Sequence, residues 1–333
     1  MNIRHPYLMF LGDAPDQLTA KVADGVAKWR PDWCMGQFRL PGCQADLGLP
    51  DMTLEQARAA GAETLVVGVA NRGGVLDDGW IGSMRTALDL GYDIASGLHV
   101  RLAETPPLPA VAAEKGRQLF DVRHPNEVFE VGTGRRRTGK RLLTVGTDCS
   151  VGKMFTSLAI EREMLARGMK ADFRATGQTG IFIAGDGVSV DAVVADFISG
   201  AAETLSPDNE PDHWDVVEGQ GSLFHASFAG VSLGLTHGSQ PDAMVMCHAL
   251  DRTHMRGLPG VPLPGLGVCI ALNEATARLT NPDSSVIGVS VNTAGLDDDA
   301  ATAALARIED ETGLPTVDAY RQGAARLVDA LPG

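Results

Sequence analysis

One segment limits the fold of this chain more than any other: Leu142-Leu143-Thr144-Val145-Gly146-Thr147-Asp148-Cys149-Ser150-Val151-Gly152-Lys153-Met154. An apolar run reads as a strand, a glycine-bearing loop follows and ends Gly152-Lys153, and a helical pattern begins at once. In that order the loop amides and the helix N-terminus converge on one point, where they bind an anion. Gly152 lets the backbone curl tightly. Lys153 brings a point charge to a phosphate. The expected phosphate-binding residues are therefore Gly146, Thr147, Asp148, Cys149, Ser150, Val151, Gly152, Lys153 and Met154.

One position departs from the P-loop pattern of phosphoryl-transfer enzymes. Met154 stands where those enzymes place a Ser or Thr that holds Mg²⁺. Thr156, two residues on, faces another side of the helix. Phosphate binding survives this change, whereas Mg²⁺-assisted phosphoryl transfer is weakened. The loop then suits a diphosphate that is held but not cleaved, such as that of coenzyme A.

The remainder of the chain reads as α/β throughout. Its 333 residues suit two domains. Before the loop, Tyr7–Leu11 and Thr64–Val69 read as strands, and Asp16–Lys28, Leu54–Ala60 and Ile81–Leu90 as helices, with Asp51 or Thr53 capping the second. This alternation predicts a small parallel sheet. A stretch rich in Gly, Pro and charge separates the two parts, giving domains over 1–125 and 140–333 joined by a linker over 126–139. Its basic run, Arg135–Arg137 with Lys140 and Arg141, reads as a solvated linker or as an anion-attracting flank of the phosphate site. The second part offers strands at Arg141–Val145, Lys170–Ala175, Trp214–Val217, Ala243–Ala249, Val286–Val291 and Thr316–Ala319. Its helices fall at Gly152–Arg167, Val188–Ala202, Val268–Leu279, Asp298–Glu311 and Arg321–Leu331.

Charge and cysteine content narrow the function. A net charge of −14 repels nucleic acid, which needs clustered Lys and Arg. Five scattered cysteines without a C-x-x-C point to neither a disulfide framework nor a zinc site. The apolar run near the N-terminus is too short for a signal peptide, and no stretch approaches the roughly 20 apolar residues of a membrane span. The expectation is a reduced, cytoplasmic protein with a small-molecule substrate, no nucleic acid or membrane partner, no resident metal, and a possible homo-oligomeric state.

GTDCSVGK followed by WDVVEGQGSL resembles the dethiobiotin-synthetase class of P-loop proteins. A closer likeness covers nearly the whole chain. NRGGVLDDGW with SGLHVRL, ATGQTGIFIAGDGVSVDAVVADFISGAAE and VVEGQGSLFHASFAGVSLGLTHGSQPDAMVMCH resemble a bacterial family of D-glutamate N-acetyltransferases. The resemblance implies a small Rossmann-like parallel sheet, then a P-loop NTPase-like doubly wound parallel sheet. It also implies acetyl transfer from acetyl-CoA, as co-substrate, to the amine of D-glutamate or a similar acidic D-amino acid. Under this reading no phosphoanhydride breaks, and Met154 is no loss.

Acyl transfer needs a general base, donors for a developing oxyanion, and cations or amides for the substrate carboxylates. Glu218, at the end of an apolar strand, is the first candidate base; otherwise it is an acid bonded to loop backbone. Asp186 and Asp191 are further catalytic candidates, or else turn and helix-surface residues. Among His225, His237, His248 and His254, none has metal-ligand spacing, and His237 is the acid–base or carboxylate-binding candidate. Cys149 sits at a helix N-terminus, which lowers a thiol's pKa; it reads as a small loop-filling residue, with a covalent acetyl-cysteine as the alternative. Gln178, Thr179 and Gln220 offer donors to the substrate or oxyanion, and Arg72, Gly73, Gly74 and His99 offer carboxylate binding from the first domain. The competing readings are an ATP-dependent ligase or kinase of the dethiobiotin-synthetase type, requiring Mg²⁺, and a non-catalytic nucleotide-binding regulator. Glu218 and Asn292 favour the first rival and Met154 opposes it.

Overall fold

The computed structural model describes residues 2–69, 76–125 and 127–332. The chain divides into two compact units, one of residues 1–126 with 177–192, the other of 127–176 with 193–333. The elements of the first stretch are β1 (Tyr7–Gly12), α1 (Lys21–Trp29), β2 (Cys34–Arg39), α2 (Leu54–Ala59), β3 (Thr64–Val67), α3 (Asp78–Asp89), β4 (Asp93–Ser96), α4 (Leu108–Lys115) and β5 (Leu119–Asp121). Then come β6 (Lys140–Gly146), α5 (Lys153–Ala166) and β7 (Ala171–Arg174), followed by α6 (Gln178–Ala184), which belongs to the first unit. The second unit resumes with α7 (Ile198–Leu205), β8 (Trp214–Val217), α8 (Ala229–Ser239), β9 (Ala243–Ala249), α9 (Leu266–Ala277), β10 (Ser285–Asn292), α10 (Asp298–Thr312), β11 (Thr316–Val317) and α11 (Ala325–Asp329).

Both sheets are parallel. The first runs β2-β1-β3-β4-β5. Every residue of β1 is buried, because the strand is covered on both faces and YLMFLG is apolar throughout. Thr53 caps α2 through a reciprocal bond with Gln56, and Asp77 caps α3 by accepting from the Trp80 amide. Helix α6 is sealed into this unit. The Tyr7 hydroxyl donates to Phe182 O at 3.2 Å, and the Ile3 amide donates to Gly185 O at 3.0 Å.

The second sheet runs β11-β10-β9-β6-β8-β7. Its core joins Leu143, Val145, Val217, Met244, Met246 and Val289 with inward residues of α9 and α10. Glycines let α7 and α8 meet closely: a Cβ built on Gly238 would lie 2.3 Å from Ser199 O and 2.7 Å from the Ala202 side chain.

Two sequence readings are corrected here. Val188–Ala202 is not one helix. Val188, Ser189 and Val190 are buried, short 3₁₀ turns occupy Val190–Ala192 and Ala195–Phe197, and α7 starts only at Ile198. Four valines within this stretch resist helix, and Val194 has extended backbone angles. Nor is the basic run uniformly solvated. Arg137 and Arg141 are buried, and Arg137 donates to Glu203 O and Ser206 O at the end of α7 and to Gly238 O and Ser239 O at the end of α8. A cation there meets the negative ends of two helix dipoles. Burial lowers its pKa to about 10. Among the described residues, no helix is long and apolar enough to cross a membrane.

Candidate functional site

Strands β6 and β9 are neighbours, but their outgoing connections lead to opposite edges of the sheet, β6 toward β7 and β9 toward β10. The loops beyond their carboxyl ends therefore part and open a crevice. Three segments line it: 147–152 after β6, 218–222 after β8 and 250–264 after β9.

The first segment has the geometry of an anion cradle. Ser150 (φ 54°) and Gly152 (φ 101°) adopt left-handed backbone, which turns the chain back toward α5. The N-cap of α5 is Gly152, and no side chain caps the helix. The amides of the first turn have no carbonyl one turn back. Lys153 is buried beneath the loop, its Nζ donating to Asp148 O at 2.9 Å. Close approach demands glycine on two sides: a Cβ on Gly146 would lie 3.2 Å from Nζ, and one on Gly219 would lie 1.6 Å from Thr144 O. Burial pushes the Lys153 pKa down, partly offset by nearby acidic groups that include Asp148 and Glu218. A buried ammonium bonded to a neutral carbonyl is set to accept an anionic partner.

Asp148 ties this loop to the one after β9. Its carboxylate is fully buried and receives the Arg252 guanidinium at 2.7 Å, the Arg256 amide at 2.8 Å and the Cys149 amide at 2.7 Å. The Arg256 guanidinium reaches the Ser150 hydroxyl. His225, from the loop after β8, bonds Arg256 O through Nε2 at 2.9 Å and receives the Ser227 amide at Nδ1 at 3.2 Å. These contacts assign the ring hydrogen to Nε2.

Asp148, Cys149 and His225 bring one ligand atom each within 4.8 Å of one another. A metal there would first have to displace the three donors on Asp148 and the two bonds of the His225 ring. A second such group, Asp172, His213 and Asp215, lies where β7 and β8 begin, and Arg174 already pairs with both of its carboxylates.

Met154 is half-buried at the start of α5, and Thr156 points into the unit, bonding Ser290 Oγ at 2.8 Å. Thr156 therefore does not replace the hydroxyl that Met154 lacks. At Cys149 burial outweighs the neighbouring cations and raises the pKa, opposite to the lowering expected from a helix N-terminus alone. That argues for a thiol that fills the loop. Thr147 Oγ1 meets His248 Nδ1 at 3.1 Å, and burial lowers the pKa of that histidine.

Glu218 immediately follows β8 and is buried. Its Oε2 receives the Thr176 amide at 2.9 Å, while the Thr176 hydroxyl donates to Glu218 O at 2.6 Å. The side chain is thus anchored at the carboxyl edge of the sheet, on the same edge as the loop. Gln220 follows it, half-buried.

Other candidates are placed elsewhere. His237 lies in the last turn of α8, eight residues from its start, and so about 12 Å along an axis that runs away from the crevice. The helix polarity of a parallel sheet puts it at the opposite edge. Asn292, at the end of β10, spends its side-chain oxygen on the Ala294 amide at 2.9 Å.

Gln178, Thr179, His99, Asp186 and Asp191 belong to the first unit. The Gln178 side chain covers Gly97, where a Cβ would fall 2.0 Å from Oε1. His99 is exposed, and its carbonyl meets His124 Nε2 at 2.9 Å. Asp186 is exposed and receives the Gly187 amide at 2.8 Å; Asp191 pairs with Arg123 at 2.9 Å. Arg72, Gly73 and Gly74 lie outside the described residues.

Arg252, Arg256 and the bridging role of His225 are absent from the sequence reading. Their only signal is two arginines following a strand, in Asp251-Arg252-Thr253-His254-Met255-Arg256. They become site residues once β9 is known to lie beside β6.

A parallel sheet, an uncapped helix behind a glycine loop and a buried lysine define a P-loop protein with a Rossmann-like companion domain. The chain belongs to the DUF1611 family: residues 38–125 match its Rossmann-like N-terminal domain and residues 130–328 its P-loop domain, both described as domains of unknown function. A relative from Tritonibacter scottomollicae, named D-glutamate N-acetyltransferase, is 56% identical over 329 residues, covering 99% of each chain. One from a Pseudoalteromonas species with the same name is 51% identical over 328 residues, covering 98% of this chain and 99% of the relative. The crystal structure of a DUF1611 family protein from Anabaena variabilis is similar at a TM-score of 0.86 and 34% identity, covering 98% of this chain and 99% of that one. The chain is an enzyme of the acyltransferase class.

Proposed function

We propose that this enzyme transfers the acetyl group of acetyl-CoA to the amine of D-glutamate or a similar acidic D-amino acid. The observation that carries the coenzyme half is the uncapped N-terminus of α5 over the buried Lys153, with Met154 in place of a Mg²⁺ ligand. Such a cradle holds a diphosphate without breaking it. The acceptor half rests on the names of the two relatives.

In this reading Glu218 is the base. Its carboxylate takes a proton from the substrate ammonium, and the freed amine attacks the thioester carbonyl. The attacking nitrogen still carries a second proton to be lost; it passes to solvent, and the tetrahedral intermediate collapses with cleavage of the C–S bond. The thiolate of CoA leaves and is protonated by the Glu218 carboxyl, which restores the base. Five free cysteines agree with a reducing, cytoplasmic setting, where acetyl-CoA is made available.

The test is incubation of the purified protein with acetyl-CoA and a panel of D- and L-amino acids, reading thiol release. Release with D-glutamate above all other acceptors supports the proposal. ADP release from Mg-ATP in a parallel arm, without thiol release, would favour the ligase or kinase reading. Tight nucleotide binding with turnover in neither arm would favour a regulator.

A further inference from the structure

Arg256 has a side chain and a backbone that are held for different purposes. Its amide donates to the buried Asp148 carboxylate at 2.8 Å, and its carbonyl meets His225 Nε2 at 2.9 Å. The backbone is thus pinned on both sides by side chains from the two neighbouring loops. The guanidinium is not used for this. It is exposed and bonds the Ser150 hydroxyl, and no carboxylate forms an ion pair with it among the described residues. Arg252 differs, since its charge is matched by Asp148. Arg256 is therefore a fixed cation at the rim of the phosphate loop, held by a neutral partner and open to solvent.

We propose that Arg256 determines coenzyme specificity by binding a second phosphate of the ligand, beyond the one cradled by the loop and Lys153. This rests on the reading of the loop as a coenzyme A site. A guanidinium fits that task, because its planar donors engage phosphate oxygens in pairs. Ser150 and the pinned backbone remove much of the ordering cost before the ligand arrives. Two phosphates of coenzyme A meet the description: the second of the diphosphate and the 3′-phosphate.

Calorimetric titration of the full chain and its Arg256→Ala variant distinguishes them, using CoA, 3′-dephospho-CoA and 4′-phosphopantetheine, which carries one phosphate. The expected result is a loss of at least tenfold in CoA affinity in the variant, with 4′-phosphopantetheine binding within threefold of the parent. If the loss persists with 3′-dephospho-CoA, the diphosphate is the partner. If it disappears, the 3′-phosphate is. Unchanged CoA affinity would overturn the proposal, as would an equal loss for all three ligands, which marks a role in loop structure only. Failure of the parent to bind CoA would overturn it together with the site reading. Tight CoA binding without thiol release leaves Arg256 supported and sinks only the acetyl-transfer reading. The variant is expected to fold, since both backbone bonds of residue 256 remain.

Discussion

Arg252 donates to the fully buried carboxylate of Asp148 at 2.7 Å, joining the loop after β6 to the loop after β9. The pair is asymmetric: the Arg252 side chain keeps 23% of its surface and Asp148 keeps none. Removing the arginine leaves a buried carboxylate short of its counter-charge, which costs more than removing both partners.

We therefore expect Arg252→Ala to lower stability by about 2 kcal/mol, below the full cost of a wholly buried pair because the arginine is partly solvated. Adding Asp148→Asn should recover part of that loss. Urea denaturation of the two single variants and the double variant closes the cycle. Additive losses would show that the two residues do not act as a pair.

Lys153 gives a pH prediction with a definite sign. Burial holds its folded-state pKa below the ordinary 10.5, whereas the unfolded chain regains the ordinary value. Between those values the unfolded state binds more protons, so stability of the ligand-free protein rises with pH across that window. A bound phosphate raises the lysine pKa again. Coenzyme binding in the window should take up a proton, and affinity should fall as pH rises. Calorimetry in two buffers of different ionisation enthalpy counts the proton, and Lys153→Met should abolish the uptake.

How much of this was legible beforehand follows from local order. The long apolar strands β6, β9 and β10, and the loop between β6 and α5, are legible in the sequence because each declares itself within about ten residues. Strands β2, β4 and β5 are not: CMGQFR is half polar, and the others span four and three residues. Helix α8 escapes the sequence pattern because Gly230, Gly234 and Gly238 depress helix propensity, while the value of Gly234 and Gly238 lies in letting α7 approach. Arg252 and Arg256 could not be found without strand order, since about a hundred residues separate them from the loop they serve. His237 drew attention by residue type, and the direction of α8 carries it away from the crevice.

Glu218→Gln separates a base from an anchor. Glutamine still offers an oxygen to the Thr176 amide, so the end of β8 keeps its tie. We expect kcat for acetyl transfer to fall by about 10²- to 10⁴-fold, with KM for acetyl-CoA within threefold and an unchanged melting temperature. A kcat within threefold of the parent would remove Glu218 from the chemistry.

Arg137 should matter to stability alone. Its guanidinium serves carbonyls at the ends of both α7 and α8. Arg137→Ala leaves them without their donor and is expected to cost at least about 2 kcal/mol. Lysine at this position should recover less than half, because three donors on one nitrogen cannot span two helix ends. Thermal unfolding monitored by circular dichroism checks both.

The return of residues 177–192 to the first unit has a consequence for anyone hoping to dissect the enzyme. No single cut frees either half intact. A piece begun at residue 127 would carry α6 away from its bed, presenting Ile181, Phe182 and Ile183 to water although all three are now fully covered. Clean separation needs a bridge from Thr176 to Val193. Evolution faces the same stitching, so recombination is expected to trade the two halves as one inseparable cassette.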